Sequence, residues 1–354
     1  MSEQRLQPTR GHRRPRVAVV GGGPAGCAAA MTLEQADIDV CLFERGQPGK
    51  DKACGDALLP SALEMLEHCG IAGEDLGAIG GVPFERIDLW TRDARFWDLR
   101  TGVRCGYMIP RAALDQLLRD RAARSASIHY GAAVTDLACE HDGSWSVRYQ
   151  QMNAVKSLRC DAVIIATGAQ NLLAKKLGIS GEPIETASIT TYAGDMQLEA
   201  PIFQFTGTCQ PGYGWMFPIG ARQVNLGVCA LLPDRLRGLR RRAEAYLYEH
   251  GLAQLGSWRG GREPLWSSQG RVWHHQAGIV SCGDAAGVID PLSGEGITAA
   301  LTSGKQAGQA LIEYLLHGNM TVHLETYSEW IREHFQQTYQ AGEVRRIWGS
   351  LCGL

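Results

Sequence analysis

One hexapeptide, Gly21-Gly22-Gly23-Pro24-Ala25-Gly26, limits the fold of this chain more than any other stretch. It follows the apolar run Val17-Ala18-Val19-Val20 and opens an Ala-rich segment, 24–36, of helical character. A second apolar run, 38–43, ends in Glu44. Strand, glycine turn, helix and strand in that order begin a βαβ unit. The G-x-G-x-x-G spacing then has a physical reading. Gly21 permits the tight turn, Gly23 lets a pyrophosphate approach the backbone, and Gly26 lets helix and strand pack closely. The helix start offers free N–H groups and a positive dipole end to the phosphates. Glu44 is placed to accept hydrogen bonds from the ribose hydroxyls of an adenosine. The hexapeptide alone does not separate FAD from NAD.

A second motif, far along the chain, makes that separation. Gly283-Asp284, six residues and Pro291 are followed by Leu292-Ser293-Gly294-Glu295-Gly296-Ile297 and a long helical segment, 296–316. Asp284, at the end of the apolar run 278–282, is placed to hold a ribityl hydroxyl. The Gly294/Gly296 turn lets backbone N–H groups and the helix start face a flavin pyrimidine edge, which gains negative charge on reduction.

Glycines 21, 23 and 26, Glu44, Arg111 and the 283–296 run together resemble the flavoprotein superfamily of aromatic hydroxylases and geranylgeranyl reductases, over nearly the whole chain. The resemblance implies an α/β fold: an FAD-binding Rossmann-like (GR2-type) domain with an inserted β-rich substrate domain and C-terminal helices. It implies non-covalent FAD and a role for Arg111, after Pro110, in holding it. Lys52-Ala53-Cys54-Gly55-Asp56 resembles the Cys-Gly loop of the geranylgeranyl reductase branch. Pro211-Gly212-Tyr213-Gly214-Trp215-Met216-Phe217-Pro218 resembles that branch's Tyr-x-Trp-x-Phe-Pro segment, which implies that Tyr213, Trp215, Phe217 and Pro218 line the substrate side of the flavin. The three rings recur every second residue, so on a strand they share a face. The intervening Gly212 and Gly214 suggest close approach of another backbone on the opposite face. Halogenases of the superfamily carry Trp-x-Trp-x-Ile-Pro here, from which this chain departs. The expected cofactor-binding set is Gly21, Gly23, Pro24, Ala25, Gly26, Glu44, Arg45, Cys54, Gly55, Arg111, Gly168, Gly283, Asp284, Pro291, Gly294, Gly296 and Ile297. Cys54 is read as shaping its loop.

One departure bears on the electron donor. Aromatic hydroxylases carry Asp-Gly after the strand that here ends at Ala166, whereas this chain reads Ala166-Thr167-Gly168. There is no second G-x-G-x-x-G. The donor is left open between NAD(P)H and a partner reductase, and reduction by free NAD(P)H alone is expected to be slow.

The remaining pattern gives an organisation. Residues 85–99 alternate as strands, 111–124 suit a helix, 132–139 and 145–150 form a hairpin about Asp142-Gly143, and 161–166 make a buried strand. Residues 186–232 are strand-rich, 234–250 helical, and 322–348 a terminal helical region. The expected division is a flexible tail, 1–15; an FAD-binding domain from 16–84, 100–170 and 270–320; a substrate domain from 85–99 and 171–269; and a C-terminal helical region, 321–354. Arg235, Arg237, Arg240, Arg241 and Arg242 read as a solvated helix face, and His274-His275 as structural.

Composition removes other classes. A net charge of −2 gives no case for nucleic acid. The 11 cysteines include no Cys-x-x-Cys pair and several lie in apolar runs, which points to reduced thiols in a cytoplasm and no metal. Arg13 and Arg14 precede an apolar run too short for a signal peptide, and no segment has the eighteen or so apolar residues of a membrane span. The sequence therefore predicts an FAD-dependent oxidoreductase acting on an apolar or aromatic substrate, free or carried on a protein, by flavin-mediated reduction or monooxygenation. The alternatives are a monooxygenase modifying an aromatic side chain of a partner protein and a non-catalytic flavoprotein assembly factor.

Overall fold

A computed structural model describes residues 13–90, 97–100, 106–179, 184–209, 212–230, 238–267, 272–275, 278–291 and 293–339. Residues 1–12 of the expected tail, 340–354 of the expected terminal region, Pro211, Leu292, Arg235 and Arg237 lie outside them.

Strand β1 (Arg16–Val20), helix α1 (Pro24–Leu33) and strand β2 (Asp39–Glu44) form the opening unit. Next come β3 (Ala57–Leu58), α2 (Pro60–His68), α3 (Gly73–Ala78), β4 (Val82–Phe84), β5 (Arg86–Trp90), β6 (Trp97–Arg100) and β7 (Gly106–Met108). Helix α4 (Arg111–Ala122) leads to β8 (Ala126–Tyr130), β9 (Ala133–Cys139), β10 (Trp145–Gln151), β11 (Ala154–Cys160) and β12 (Ala162–Ile165). After α5 (Leu172–Lys176) the chain forms β13 (Ile184–Gly194), β14 (Ile202–Gln204), β15 (Gly212–Gly220), β16 (Gln223–Ala230), α6 (Leu239–Glu249), β17 (Ala253–Gln254) and β18 (Arg259–Leu265). It returns through β19 (His274–His275) and β20 (Ile279–Ser281) to α7 (Ile297–Leu316) and α8 (Val322–Tyr339).

Two large sheets organise these elements. The first has the order β19-β20-β12-β1-β2-β8, parallel except for β19. Val17 to Val20 of β1 and all of β12 are apolar because both faces are covered. Val17 and Val19 face the helices, in a core with α1, α4, α7 and α8. Ala18 and Val20 face the other way, onto Trp145, Val147 and Tyr149 of β10. The expected hairpin is thus two-thirds of a three-stranded antiparallel sheet, β11-β10-β9, that roofs this second core. Its third strand, β11, went unread because it is exposed at most positions and its apolar residues do not alternate.

The second sheet runs β17-β13-β16-β15-β14-β5-β6, with β18 also paired to β13. Strands β5 and β6 join it from the distant 86–100 segment, and β14 accepts β5 in parallel. One face packs on α6 through Met216, Val224, Leu226, Val228 and Tyr246. The other carries Tyr213, Trp215, Phe217 and Cys229 against Phe84 and Met108. A small sheet, β3-β7-β4, lies on this aromatic face.

Helix α1 is buried almost all round, which its alanines and small residues allow. Helix α7 crosses it so closely that a Cβ on Gly304 would stand 2.1 Å from the Ala25 carbonyl oxygen. One turn later, a Cβ on Gly308 would stand 2.9 Å from the Ala29 oxygen. Small residues at this seam bring two helices together over the parallel sheet and set where the second motif meets the first. Helix α8 closes the layer, with Tyr327 donating its hydroxyl to the Ser281 carbonyl at 2.7 Å.

Candidate cofactor and substrate site

The parallel strands β1 and β12 deliver the first motif and the Ala166-Thr167-Gly168 turn side by side at the carboxyl end of the sheet. Gly21 has φ +117°, and a Cβ there would lie 2.1 Å from the Ala166 carbonyl oxygen. Gly26 sits beneath it, where a Cβ would lie 1.9 Å from the Gly21 oxygen. The chain's own packing therefore requires both glycines. Gly23 is different. Its φ of −83° suits any residue, and a Cβ there would meet nothing within 4 Å. No side chain caps the start of α1, so its N–H groups stay open beside this gap. A concavity of this kind at a helix N-terminus fits a pyrophosphate.

Glu44 ends β2 next to the gap. Its Oε2 accepts from Gly22 N at 2.9 Å and its Oε1 from Gly46 N at 2.6 Å. The carboxylate braces the glycine loop, and each oxygen keeps a lone pair for a further donor. Arg119 of α4 donates to the Gly22 carbonyl at 3.2 Å from the other side. Arg45 is exposed. Gly168 has φ +73° and open space where a Cβ would stand.

The second motif arrives from β20. Gly283, at φ +62°, presses on α1: a Cβ there would lie 2.8 Å from Ala25 Cβ. Asp284 follows and takes a hydrogen bond from Lys52 Nζ at 2.9 Å. Burial pushes its carboxyl up, but Lys52 and the more distant Arg111 outweigh burial, and the net effect holds it below the ordinary carboxylate range. Gly296 precedes α7 without a side-chain cap, and a Cβ on it would lie 3.5 Å from Asp284 Oδ1. Pro291, Gly294 and buried Ile297 complete the turn. Both motifs thus meet at one cleft, which the open start of α1 faces; at the start of α7 the Glu295 carboxylate accepts from Thr298 N at 2.7 Å.

The aromatic strand meets the same place. Tyr213 donates its hydroxyl to the Ser293 carbonyl at 2.7 Å. The Trp215 indole lies across Gly227, where a Cβ would be 2.1 Å from the ring. A Cβ on Gly55 would stand 2.8 Å from the Phe217 ring and 3.4 Å from Trp215 Nε1. Phe203 joins the wall, its ring centroid 4.9 Å from that of Phe217. The three rings are 6%, 5% and 4% exposed, so the wall is packed between its sheet and the Cys-Gly loop. Pro218, expected beside the rings, is buried on the opposite, α6 face, because it pairs with Val224. The expected approach of a backbone on the opposite face is not what these glycines allow: Gly212, at φ +136°, meets the Cys229 carbonyl of its own sheet neighbour β16, and Gly214 makes room for the ring of Tyr246.

A buried polar hub joins wall and loop. Asn225 accepts from Trp215 Nε1 at 3.0 Å and donates at 2.7 Å to both the Cys54 carbonyl and Asp56 Oδ2. Asp56 sits at φ +67° and takes a further bond from the Tyr192 hydroxyl at 3.1 Å. Its Oδ1 accepts from Arg111 N at 3.0 Å. Burial pushes the Asp56 carboxyl up to about 6, while the Asn225, Arg111 and Tyr192 donors hold it down. The Arg111 side chain is buried and bidentate on Asp115, at 3.0 and 3.1 Å. Burial also pushes the Cys54 thiol up, with Arg111 opposing, so the thiol is not poised as a nucleophile. Asn225, Asp56 and Tyr192 were not among the expected site residues. A signal existed for Asn225: in Gln223-Val-Asn225-Leu-Gly227-Val-Cys229-Ala230 apolar residues alternate with others, so Asn225, Gly227 and Cys229 share the face opposite a core.

Residues 14–341 match the family model described as FAD binding domain. A menaquinone reductase of Mycolicibacterium smegmatis is 30% identical over 94% of this chain and 84% of its own length. Digeranylgeranylglycerophospholipid reductase 1 of Methanopyrus kandleri is 28% identical over 94% and 90%. Among solved structures, a geranylgeranyl bacteriochlorophyll reductase-like protein of Thermoplasma acidophilum superposes with a TM-score of 0.83 at 20% identity, over 96% of this chain and 88% of that one. A flavin-dependent halogenase superposes with a TM-score of 0.78 at 22% identity, over 93% and 63%. These two structures establish likeness of fold.

Proposed function

We propose, since the chain belongs to the FAD binding domain family and is an FAD-dependent oxidoreductase, that it reduces an apolar, isoprenoid-type substrate. The observation that carries this reading is the join between the aromatic sheet face and the two cofactor-side segments, at Tyr213–Ser293 and at Gly55 against Phe217 and Trp215. The relatives named for menaquinone and for a prenylated phospholipid support the same substrate class.

In this reading Gly23 and the α1 start, with Gly21, Pro24, Ala25 and Gly26 shaping it, take the pyrophosphate. Glu44 and Arg45 serve the adenosine side, Asp284 holds a ribityl hydroxyl, and Gly294, Gly296 and Ile297 face the pyrimidine edge, with Gly283 and Pro291 setting the turn. Arg111, committed to Asp115, acts through Asp56 and the Cys54-Gly55 loop, and Gly168 flanks the cleft beside Gly21. The packed rings of Tyr213, Trp215 and Phe217 back the substrate side, whereas Pro218, paired with Val224, belongs to the α6 face. The bound flavin supplies hydride transfer; the protein supplies orientation and an apolar surrounding. Segments 85–99 and 171–269 form the substrate domain, and 16–84, 100–170 and 270–320 the cofactor domain. No helix among the described residues is long and apolar enough to cross a membrane; a cytoplasmic location suits the many thiols.

Product mass tests the reaction. The reduced protein, given a prenylated quinone with and without oxygen, is expected to yield a product heavier by two hydrogens. A gain that survives air oxidation lies in the prenyl chain, and one that reverts lies in the quinone ring. A product heavier by one oxygen, formed only in air, would make the protein a monooxygenase. Bound flavin that never passes electrons to a prenylated substrate would favour an assembly factor.

Glu44→Ala is expected to weaken FAD binding by roughly 1.5–3 kcal/mol, the loss of a charge-assisted bond to a ribose hydroxyl. Fluorescence titration of the apo-protein measures it. Equal affinity in Glu44→Ala and the parent would confine Glu44 to bracing Gly22 and Gly46.

A further inference from the structure

The sheet face that meets the cofactor turn is divided. Strand β15 supplies rings, and β16, β13 and β18 supply a polar row. Tyr213 lies opposite Cys229, Cys229 opposite Ser188, and Thr186 opposite Glu263. The row begins with the Tyr213 hydroxyl on the Ser293 carbonyl and ends with the Glu263 carboxyl. Ser188 Oγ donates to Glu263 Oε1, and Cys229 Sγ lies 3.7 Å from Oε2. That same Oε2 stands 3.5 Å from where a Cβ on Gly294 would be. A carboxyl held by neutral donors is therefore pressed against the turn that opens α7.

The charged and titratable groups around it come from four other elements. They are Cys229 on β16, Tyr213 on β15, Asp284 after β20, and Lys52 from the Cys-Gly loop. Asp290 acts on the row through Tyr213, and Glu295, in the turn itself, is pushed up by burial while its carboxyl accepts from Thr298 N at 2.7 Å. Burial pushes the Tyr213 hydroxyl and the Cys229 thiol far up, so both stay neutral. Lys52 is bonded to Asp284, which stays charged. Burial pushes the Glu263 carboxyl up to about 7, with Asp284 adding to the rise and Ser188, Cys229 and Lys52 opposing it. Glu263 is thus the member of this group whose charge changes near neutrality.

We propose that Glu263 takes up a proton when the bound cofactor gains two electrons and releases it when the cofactor passes them on. The proposal rests on the reading of residues 293–297 as the turn against the flavin. Negative charge arriving there favours the neutral form of a nearby carboxyl. The balance closes. A two-electron donor, reduced nicotinamide or a partner reductase, brings a hydride, and solvent brings one proton to the Glu263 carboxylate. When an apolar acceptor is reduced, its π bond breaks and two C–H bonds form, one from the hydride and one from the proton that Glu263 releases. The carboxylate is restored.

The test is the flavin midpoint potential of the FAD-loaded protein from pH 6 to 9, with no substrate present. An extra proton taken up with two electrons changes the reduction equilibrium a further tenfold per pH unit, about 30 mV per unit. The parent is expected to show this steeper fall of potential around and above pH 7, and Glu263→Gln to lack it while keeping its FAD and melting temperature. Glu263→Asp should keep the steeper slope, displaced along the pH axis. Equal slopes in the parent and Glu263→Gln, or a constant offset at every pH, overturn the proposal. Gly296→Ala separates the underlying reading. If the turn lies against the flavin, the added methyl weakens FAD binding at least tenfold. If affinity is unchanged, the turn is misassigned, whereas weakened affinity with equal slopes faults Glu263 alone.

Discussion

Gly23→Val is expected to weaken FAD binding at least a hundredfold without unfolding the protein. The backbone at Gly23 has φ −83°, which valine adopts freely, and nothing in the chain lies within 4 Å of a Cβ there. The apo-protein should therefore keep its stability to within about 0.5 kcal/mol, as for a surface change. The side chain would fill the gap beside the open N–H groups of α1. Holding a pyrophosphate away from two such donors costs roughly 3–6 kcal/mol at about 1.5–3 kcal/mol for each charge-assisted bond, a hundredfold loss of affinity or more. Flavin titration and urea unfolding of the same apo-protein measure the two halves. Retained affinity would show that the phosphates lie elsewhere. Gly26→Ala is the contrast, because its Cβ would stand 1.9 Å from the Gly21 oxygen and the damage would fall on the fold itself.

The second large effect is expected from Trp215→Ala, at about 3–5 kcal/mol of stability. The indole is 5% exposed, lies on Gly227, and donates to Asn225. Its removal leaves a cavity under the Cys54-Gly55 loop and takes a donor from Asn225, which also holds Cys54 and Asp56. FAD content and turnover should fall together with melting temperature. Trp215→Phe should recover part of the stability, since a ring remains. Melting temperature, flavin-to-protein ratio and product formation on one preparation decide the matter. Lost turnover with an unchanged melting temperature would make Trp215 a substrate contact and not a packing residue.

The contrast between Gly23 and Trp215 shows what a sequence discloses about such a site. Gly21, Gly23 and Gly26 act within one loop, so their spacing along the chain carries their geometry. The 283–297 turn is legible for the same reason: strand, turn and helix start are consecutive. Tyr213, Trp215 and Phe217 were legible as one face because a strand has period two. What packs on that face was not, since Gly55, Gly227 and Ser293 come from three separate segments. The Asp56–Asn225–Tyr192 hub was hidden likewise: each member is an ordinary polar residue in sequence, and only folding brings them within hydrogen-bond distance. Glu263 stands in Arg-Gly-Gly-Arg-Glu, which reads as solvated, and its partial burial follows from pairing with β13. Gly304 and Gly308 passed as unremarkable helix residues because their reason is another helix.

That last pair has a kinetic consequence. The glycine turn and α1 are made long before the surface that seats α1 at Gly304 and Gly308. Until residues 297–316 emerge, the small-residue side of α1 has no neighbour, and β12 lacks β20. Contacts of such long sequence separation form slowly, and the unfinished chain exposes apolar surface meanwhile. Flavin capture by a growing chain is thus expected to wait for α7, and the colour of the bound cofactor then marks the seating of α7 on α1.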